Sequence, residues 1–415
     1  MTVTAPDRSP SIVTAGPRAR PALWVIGVVV PLFFCIADVK TPSAPWAPAA
    51  ARGLLAAWLL AAAPLALGRW RLVLAVVSRP PLVFFTAFSA LAFAAVPAAA
   101  LPGWTSLKYA AGYAAIEIAC VVTGLLFPPR VLVSWVFVGS AVRVLSSLAL
   151  HLLGPGGGKE RLEGVHGNPN PTGATAGLCL LLGLVSWLAS RGDDQRPLFT
   201  WRTVLLALCL ASALAVLAAT RSASAVLVTF LAGASIAYLE GRRRGRFSAR
   251  GFAAAAAGAL GLVVLPALVA SRRADLFVHL AARLSWWREV AEVAWRRPLL
   301  GYGPGSGPLV LYPLRQDIWT SAHNVVLEAW VYAGIGAALA LLAFVVVLAV
   351  QGLRAARRDE GVCGLAAIAV FYSILSLVEP AILNAGPTTL VAPLLSAAWL
   401  SAARPGSIIR ARGPC

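Results

Sequence analysis

The sequence predicts an all-α protein: a polytopic transmembrane helix bundle that crosses a lipid bilayer about twelve times. Three observations predict it. Of 415 residues, 59% are hydrophobic and only 12% charged, where soluble domains carry about 25% charge; the mean hydropathy is +0.80. Apolar runs near the roughly 20 residues needed to span hydrocarbon recur from end to end. The arginines gather in alternate loops, which is the positive-inside pattern.

Taken in order, residues 1–20 are rich in Pro and Ser and read as a disordered cytoplasmic tail. Nine spans fill residues 21–270, at roughly 22–37, 53–67, 80–100, 106–127, 131–153, 173–190, 200–219, 223–239 and 252–270. The first lacks a small-residue cleavage site and reads as a retained helix. Residues 271–322 form a large extracytoplasmic loop. Three more spans fill 323–403, at roughly 324–350, 362–379 and 384–403, the last pair interrupted by Pro380 and Pro387. Residues 404–415 are a second cytoplasmic tail.

Loops holding Arg69, Arg71 and Arg79, then Arg130, then Arg242 to Arg244, then Arg354, Arg357 and Arg358, alternate with loops holding few cations, among them Lys40, Arg52, Lys108 and Arg221. Both termini therefore fall in the cytoplasm, the abundance of Ala and Arg hints at a GC-rich bacterial genome, and the chain reads as a multi-pass protein of a bacterial cytoplasmic (inner/plasma) membrane. The net charge of +19 is spread as topology anchors, so the RRRGR run at 242–246 reads as an anionic-lipid contact rather than a nucleic-acid patch. Five of the six cysteines lie in apolar runs and Cys415 ends the chain. With no CxxC pair, neither a disulfide framework nor a zinc site is suggested.

The large loop opens with ADLFVHLAARLSWWREVAEVAWRRP, 274–298. Leu276, Leu280, Leu284, Trp287 and Ala291 fall at helical spacing, Arg288 pairs with Glu292 at i,i+4, and Pro298 ends the pattern. The spacing predicts an amphipathic helix on the outer membrane surface, with Trp286, Trp287 and Trp295 at headgroup level. A lid over the bundle and a substrate-contacting helix fit this equally.

Polar residues collect on the same outer face. They are Arg161, His166, Asn168 and Asn170; Arg221; Arg283 and Arg288; the GYGPGSG turn, 301–307; and His323 with Asn324. Guanidinium groups keep their charge and grip phosphate bidentately, so the set favours an anionic ligand. Arg221 stands between two apolar runs, where a charge is costly unless it is used; snorkelling to headgroups is the plain alternative. GYGPGSG lacks the lysine and preceding strand of a P-loop, so a plain turn after Pro298 competes with a backbone phosphate nest. Histidine ordinarily titrates near about 6.5, so His323 suits a general base; a capping contact with Asn324 or Glu328 explains its position as well. Arg143 lies mid-span and is expected to face the bundle interior.

Four stretches together resemble the O-antigen ligase and polymerase family, integral-membrane glycosyltransferases of the GT-C type. RLEGVHGNPNPTG, 161–173, resembles the family's R-x-x-G…N stretch before a helix. TRS, 220–222, resembles its S-R element, with Thr220 in place of Ser. Arg283, Trp287, Ala291, Pro298, Leu299, Gly301 and Gly303 follow its R-x-x-x-W…P-L-x-G-x-G pattern, Ala291 one place late. His323, Asn324, Leu327, Glu328 and Gly334 follow its HN-x-x-L-E…G pattern. The second proline of NPNPTG departs from the pattern; neither departure removes a charge.

The resemblance covers about the C-terminal two thirds of the chain. It implies transfer of a glycan from a polyprenyl (undecaprenyl) diphosphate to an acceptor hydroxyl on a glycan or lipid, at the outer face, inverting and without metal or other cofactor. It makes His323 the general base and Arg221 and Arg283 the diphosphate ligands. Arg161, Arg288, Asn170, Asn324, Gly301 and Gly303 are then supporting contacts. A transporter or flippase for a lipid-linked sugar has similar hydropathy, but should place ionisable or helix-breaking residues near the midplane. Here they sit at the outer boundary, with Arg143 the main exception.

Overall fold

The computed structural model describes residues 20–37, 39–40, 44–153, 162–190, 200–243, 275–314, 321–379, 383 and 387–403. Its regular elements there are all helical: α1 Arg20–Ile36, α2 Ala47–Gly68, α3 Trp70–Val77, α4 Leu82–Ala94, α5 Gly103–Leu126, α6 Pro129–Leu153, α7 Pro169–Ser190, α8 Trp201–Thr220, α9 Ala223–Arg243, α10 Asp275–Trp295, α11 Gly307–Leu311, α12 Val325–Arg358, α13 Cys363–Val378 and α14 Pro387–Ala402. Among the described residues, α2, α5, α6, α8 and α12 are long and apolar enough to cross a membrane, and α3 with α4 makes a sixth span if the bent pair counts as one. Shorter apolar helices lie at Arg20–Ile36, Ala223–Leu239, Cys363–Val378 and Thr389–Ala402. The expected run at 252–270, both tails and Arg161 lie outside the described residues.

Helices in hydrocarbon gain little from burying apolar surface, so close backbone approach holds them together. Gly139 of α6 lies against Phe34 of α1, Gly177 of α7 against Thr229 of α9, and Gly124 of α5 against Ala398 of α14. A methyl group at any of the three would collide with its neighbour. Between such contacts sit fully buried aromatic rings, among them Phe33, Trp58, Phe85, Phe344 and Phe371.

Three elements differ from the sequence expectation. The second span begins at Ala47, not residue 53, because Pro48 opens a helix at its first turn and exposed Arg52 rides on its surface. The stretch between the second and third expected spans is itself helical: α3 precedes the third span and meets α4 at 97°, across Pro80 and Pro81, which supply no amide donor to continue a helix. The apolar stripe of α10 is also rotated from that expected. Trp286, Val290, Val293 and Ala294 are its buried face, while Leu284 is 54% exposed. The spacing of Leu284 was real, but the tryptophan and β-branched side chains won the protein-facing side.

Helix α12 carries the architecture of the site end. It kinks at Ala333 (φ −143°) and Gly334 (φ 84°), and the break is filled by the turn after α10. Tyr302 N donates to Val331 O at 2.7 Å, Gly303 N to Tyr332 O at 2.9 Å, and Ile335 N to Pro298 O at 2.8 Å. The carbonyls released by the kink are thereby satisfied, as backbone in a membrane must be. Below the kink, α4 runs antiparallel to α12: Gln351 Nε2 donates to Pro80 O at 3.0 Å, and the Phe85 and Phe344 rings lie 5.3 Å apart. Helix α13 returns alongside, its Ala366 and Ala369 facing Gly352.

Candidate functional site

The start of α12, the end of α13, the start of α7 and the α8–α9 corner meet at one end of the bundle, with α10 packed across them. Asn324 caps α12: its Oδ1 accepts from Val326 N at 2.9 Å and Leu327 N at 3.1 Å. Its Nδ2 donates to Leu377 O at 2.9 Å, near the end of α13. The segment before the cap is pinned twice more. Trp286 Nε1 of α10 donates to Ser321 O at 3.0 Å, and buried Glu328 accepts from Ala322 N at 2.6 Å and from Ser321 Oγ at 3.3 Å.

His323 is held inside this frame with a left-handed backbone, φ 50°. Its Nδ1 lies 3.0 Å from Glu379 Oε2. A carboxylate only accepts, so Nδ1 carries the proton. Glu379 follows the last residue of α13 and is the hub of the site. Its Oε1 accepts from Arg283 at 2.7 Å, from Asn170 Nδ2 at 3.2 Å and from Ser224 Oγ at 3.3 Å. Arg283 is doubly fastened, its other terminal nitrogen donating to Val378 O at 2.8 Å. Burial alone would raise the Glu379 carboxyl's pKa; the hydrogen bond and charge of His323, with those of Arg283, outweigh it and hold the group below its ordinary value. It therefore stays ionised.

Arg221 enters through its neighbour. It caps α8 in a left-handed conformation, φ 48°, which turns the chain into α9. Ser222 Oγ then donates to Asn170 Oδ1 at 3.2 Å, in contact with the residue that donates to Glu379. Arg221 itself is exposed. Arg221 and His323 are the two non-glycine residues with positive φ among the described residues. Such backbone costs about 1–2 kcal/mol each and concentrates at functional sites.

The remaining candidates separate into two groups. Asn170 bonds Glu379 directly, and Asn324 ties the helix start beside His323 to Leu377 O. Arg288 does neither: it pairs with Glu292 at 3.2 Å with its side chain 81% exposed, and five residues along the helix from Arg283 it points about 140° away. Gly301 and Gly303 belong to the turn that fills the α12 kink, both with positive φ, and their amides donate to Arg297 O and Tyr332 O. This is the turn reading rather than the phosphate nest. His166 is buried with Nε2 3.1 Å from Thr175 Oγ1. Arg143 is buried, as expected, and donates to Gly139 O at 3.3 Å.

Residues 204–342 match the family model described as O-Antigen ligase. The match covers about a third of the chain, and over it the chain is similar to that family. The match contains Arg221, Arg283, His323 and Asn324. The chain has no match among curated proteins. Glu379 and Asn170 lie outside the matched stretch, and only the fold brings them to it. Glu379 was missed in the sequence. The available signal was charge balance: several cations and an imidazole on one face require a carboxylate nearby, and ILSLVEP places one at the mouth of a span on that face.

Proposed function

We propose that this protein is a member of the O-antigen ligase family and moves a glycan from a polyprenyl (undecaprenyl) diphosphate to an acceptor hydroxyl, at the outer face of a bacterial inner membrane, on a bundle of about twelve spans of the GT-C type. The observation that carries this reading is the His323–Glu379 pair at 3.0 Å, with Arg283 on the same carboxylate. The acceptor hydroxyl gives its proton to His323 Nε2 as its oxygen attacks the anomeric carbon. The bond from that carbon to the diphosphate oxygen breaks, the electron pair leaves with the diphosphate, and the anomeric centre inverts. Glu379 stabilises the imidazolium and stays ionised throughout, the role a buried carboxylate plays behind a catalytic histidine.

Arg221, exposed at the corner, binds the departing diphosphate, where negative charge grows in the transition state. Two of the N–H donors of Arg283 are committed to Glu379 and Val378; the rest face the diphosphate from the other side. Asn170 and Ser224 hold Glu379, and the arginines carry the charge stabilisation without a metal. The experiment is single-turnover transfer by the full chain in lipid nanodiscs, supplied with an oligosaccharide on polyprenyl diphosphate. His323→Ala is expected to abolish transfer while still binding donor and keeping the parent's thermal stability. Transfer at the parent rate removes His323 as the base.

A further inference from the structure

Helix α3 has no part in the site. The straight portion of α12, 335–358, is about 36 Å long at 1.5 Å per residue, enough to cross about 30 Å of hydrocarbon. Helix α4 is antiparallel to it, with Pro80 level with Gln351 and Leu91 beside Gly336. Helix α3 leaves α4 at 97°, so it runs close to the membrane plane. It does so at the end of α12 opposite His323. The corner is fixed there: Ser401 Oγ donates to Pro80 O at 3.3 Å, and Arg79 donates to Ser401 O at 3.4 Å.

The faces of α3 differ. Val73 and Val76 are buried against the bundle, while Trp70 is 54% and Leu74 53% exposed. Arg71 lies beside that exposed face, its guanidinium carbon 5.4 Å from the Trp70 ring centroid. At the same end, Arg130, Arg354, Arg357 and Arg358 are exposed. An exposed tryptophan and leucine on a helix in the plane do not suit water, and clustered guanidinium groups do not suit hydrocarbon. The headgroup layer suits both.

We propose that α3 lies flat in the headgroup layer at the end remote from the site, and that its partner there is anionic phospholipid. The charge complementarity is direct: phosphodiester headgroups meet Arg71 and the four arginines exposed at the same end, while the Trp70 and Leu74 side chains sink below the phosphates. The proposal does not depend on the transfer reaction.

The full chain, carrying Trp70→Cys labelled with the polarity-sensitive fluorophore NBD, is reconstituted into phosphatidylcholine vesicles with increasing phosphatidylglycerol. The parent, labelled identically, gives the background from native cysteines. Emission is expected to shift blue as phosphatidylglycerol rises, and quenching to be strongest with lipids brominated near the glycerol. Adding Arg71→Ser is expected to raise the phosphatidylglycerol fraction needed for half the shift by about fivefold, the worth of one basic side chain at an anionic surface. Leu74→Cys, on the same face, serves if Trp70→Cys does not fold. Strongest quenching by bromines near the acyl termini would make α3 a deep re-entrant segment and overturn the proposal. So would no quenching at any depth, or a response as large in pure phosphatidylcholine.

Discussion

Replacing Glu379 by Gln changes one atom and reverses the logic of the site. The carboxylate serves two directions: Oε1 takes donors from Arg283, Asn170 and Ser224, and Oε2 takes one from His323. An amide has one oxygen. Three donors, one of them charged and 2.7 Å away, claim it, which leaves the NH₂ facing His323 Nδ1. Two donors cannot face each other, so Nδ1 must become the acceptor and the proton moves to Nε2, the atom required as base. Tautomer reversal of this kind costs about 10⁴ in kcat in the well-studied serine protease triad, or about 5 kcal/mol of barrier. His323 is 23% exposed, so water partly offsets the reversal, and the expected loss is about 10²–10⁴. The assay is single-turnover transfer in nanodiscs, with donor binding measured separately. Binding should hold, because Arg283 keeps an oxygen partner, and Glu379→Asp should recover part of the rate. If Glu379→Gln keeps kcat within about tenfold while donor binding weakens, the carboxylate acts in binding and the dyad is wrong.

Three other outcomes follow from the same geometry. Glu379 has its pKa lowered in the folded protein, so its contribution to stability is complete above the ordinary carboxylate value of about 4.3 and is lost as pH falls through the folded value; thermal unfolding should show an acid-side decline that Glu379→Gln lacks, and parallel curves would contradict it. Arg221→Gly should raise the melting temperature by relieving about 1 kcal/mol of left-handed strain, yet weaken lipid-diphosphate binding about 10–100-fold by removing a charged contact; unchanged binding would take Arg221 out of the site. Gly334→Ala should destabilise by about 2 kcal/mol or more, from a φ of 84° and a methyl group driven against the Leu299 carbonyl; an unchanged melting temperature would show the α12 kink to be soft.

The helices were legible because a bilayer enforces a simple code: runs such as 131–153 and 200–219 must be long, apolar and internally hydrogen-bonded. Where a second signal intervened, the code misled. Arg52 read as a loop cation before the span at 53–67, but a guanidinium can ride on a helix surface while its stem packs. In α10, Leu284 and Trp287 marked one stripe, yet membrane and protein both accept apolar side chains, so periodicity alone cannot say which stripe faces inward. Only the contacts of Trp286 with Ser321 and of Arg283 with Glu379 decide it.

Of the expected cations, Arg283 meets Glu379, Arg288 turns away to Glu292, and Arg161 lies outside the described residues; the anion was not read in the sequence at all, for a physical reason. A lone arginine or histidine at a span boundary is conspicuous, because its presence there has a cost that local sequence does not offset. Glu379 offsets that cost for two of them at once, but it does so from 56 residues beyond His323 and 96 beyond Arg283. Charge neutrality at a membrane boundary is a property of the assembled end of the bundle and of no single segment. The position of Glu379 also explains why α13 stops where it does. One residue past its last turn, with Pro380 next, the carboxylate is free of the helix axis and can turn both oxygens to the elements around it. On a regular helical turn it would present a single edge to one neighbour, and His323 and Arg283 could not share it.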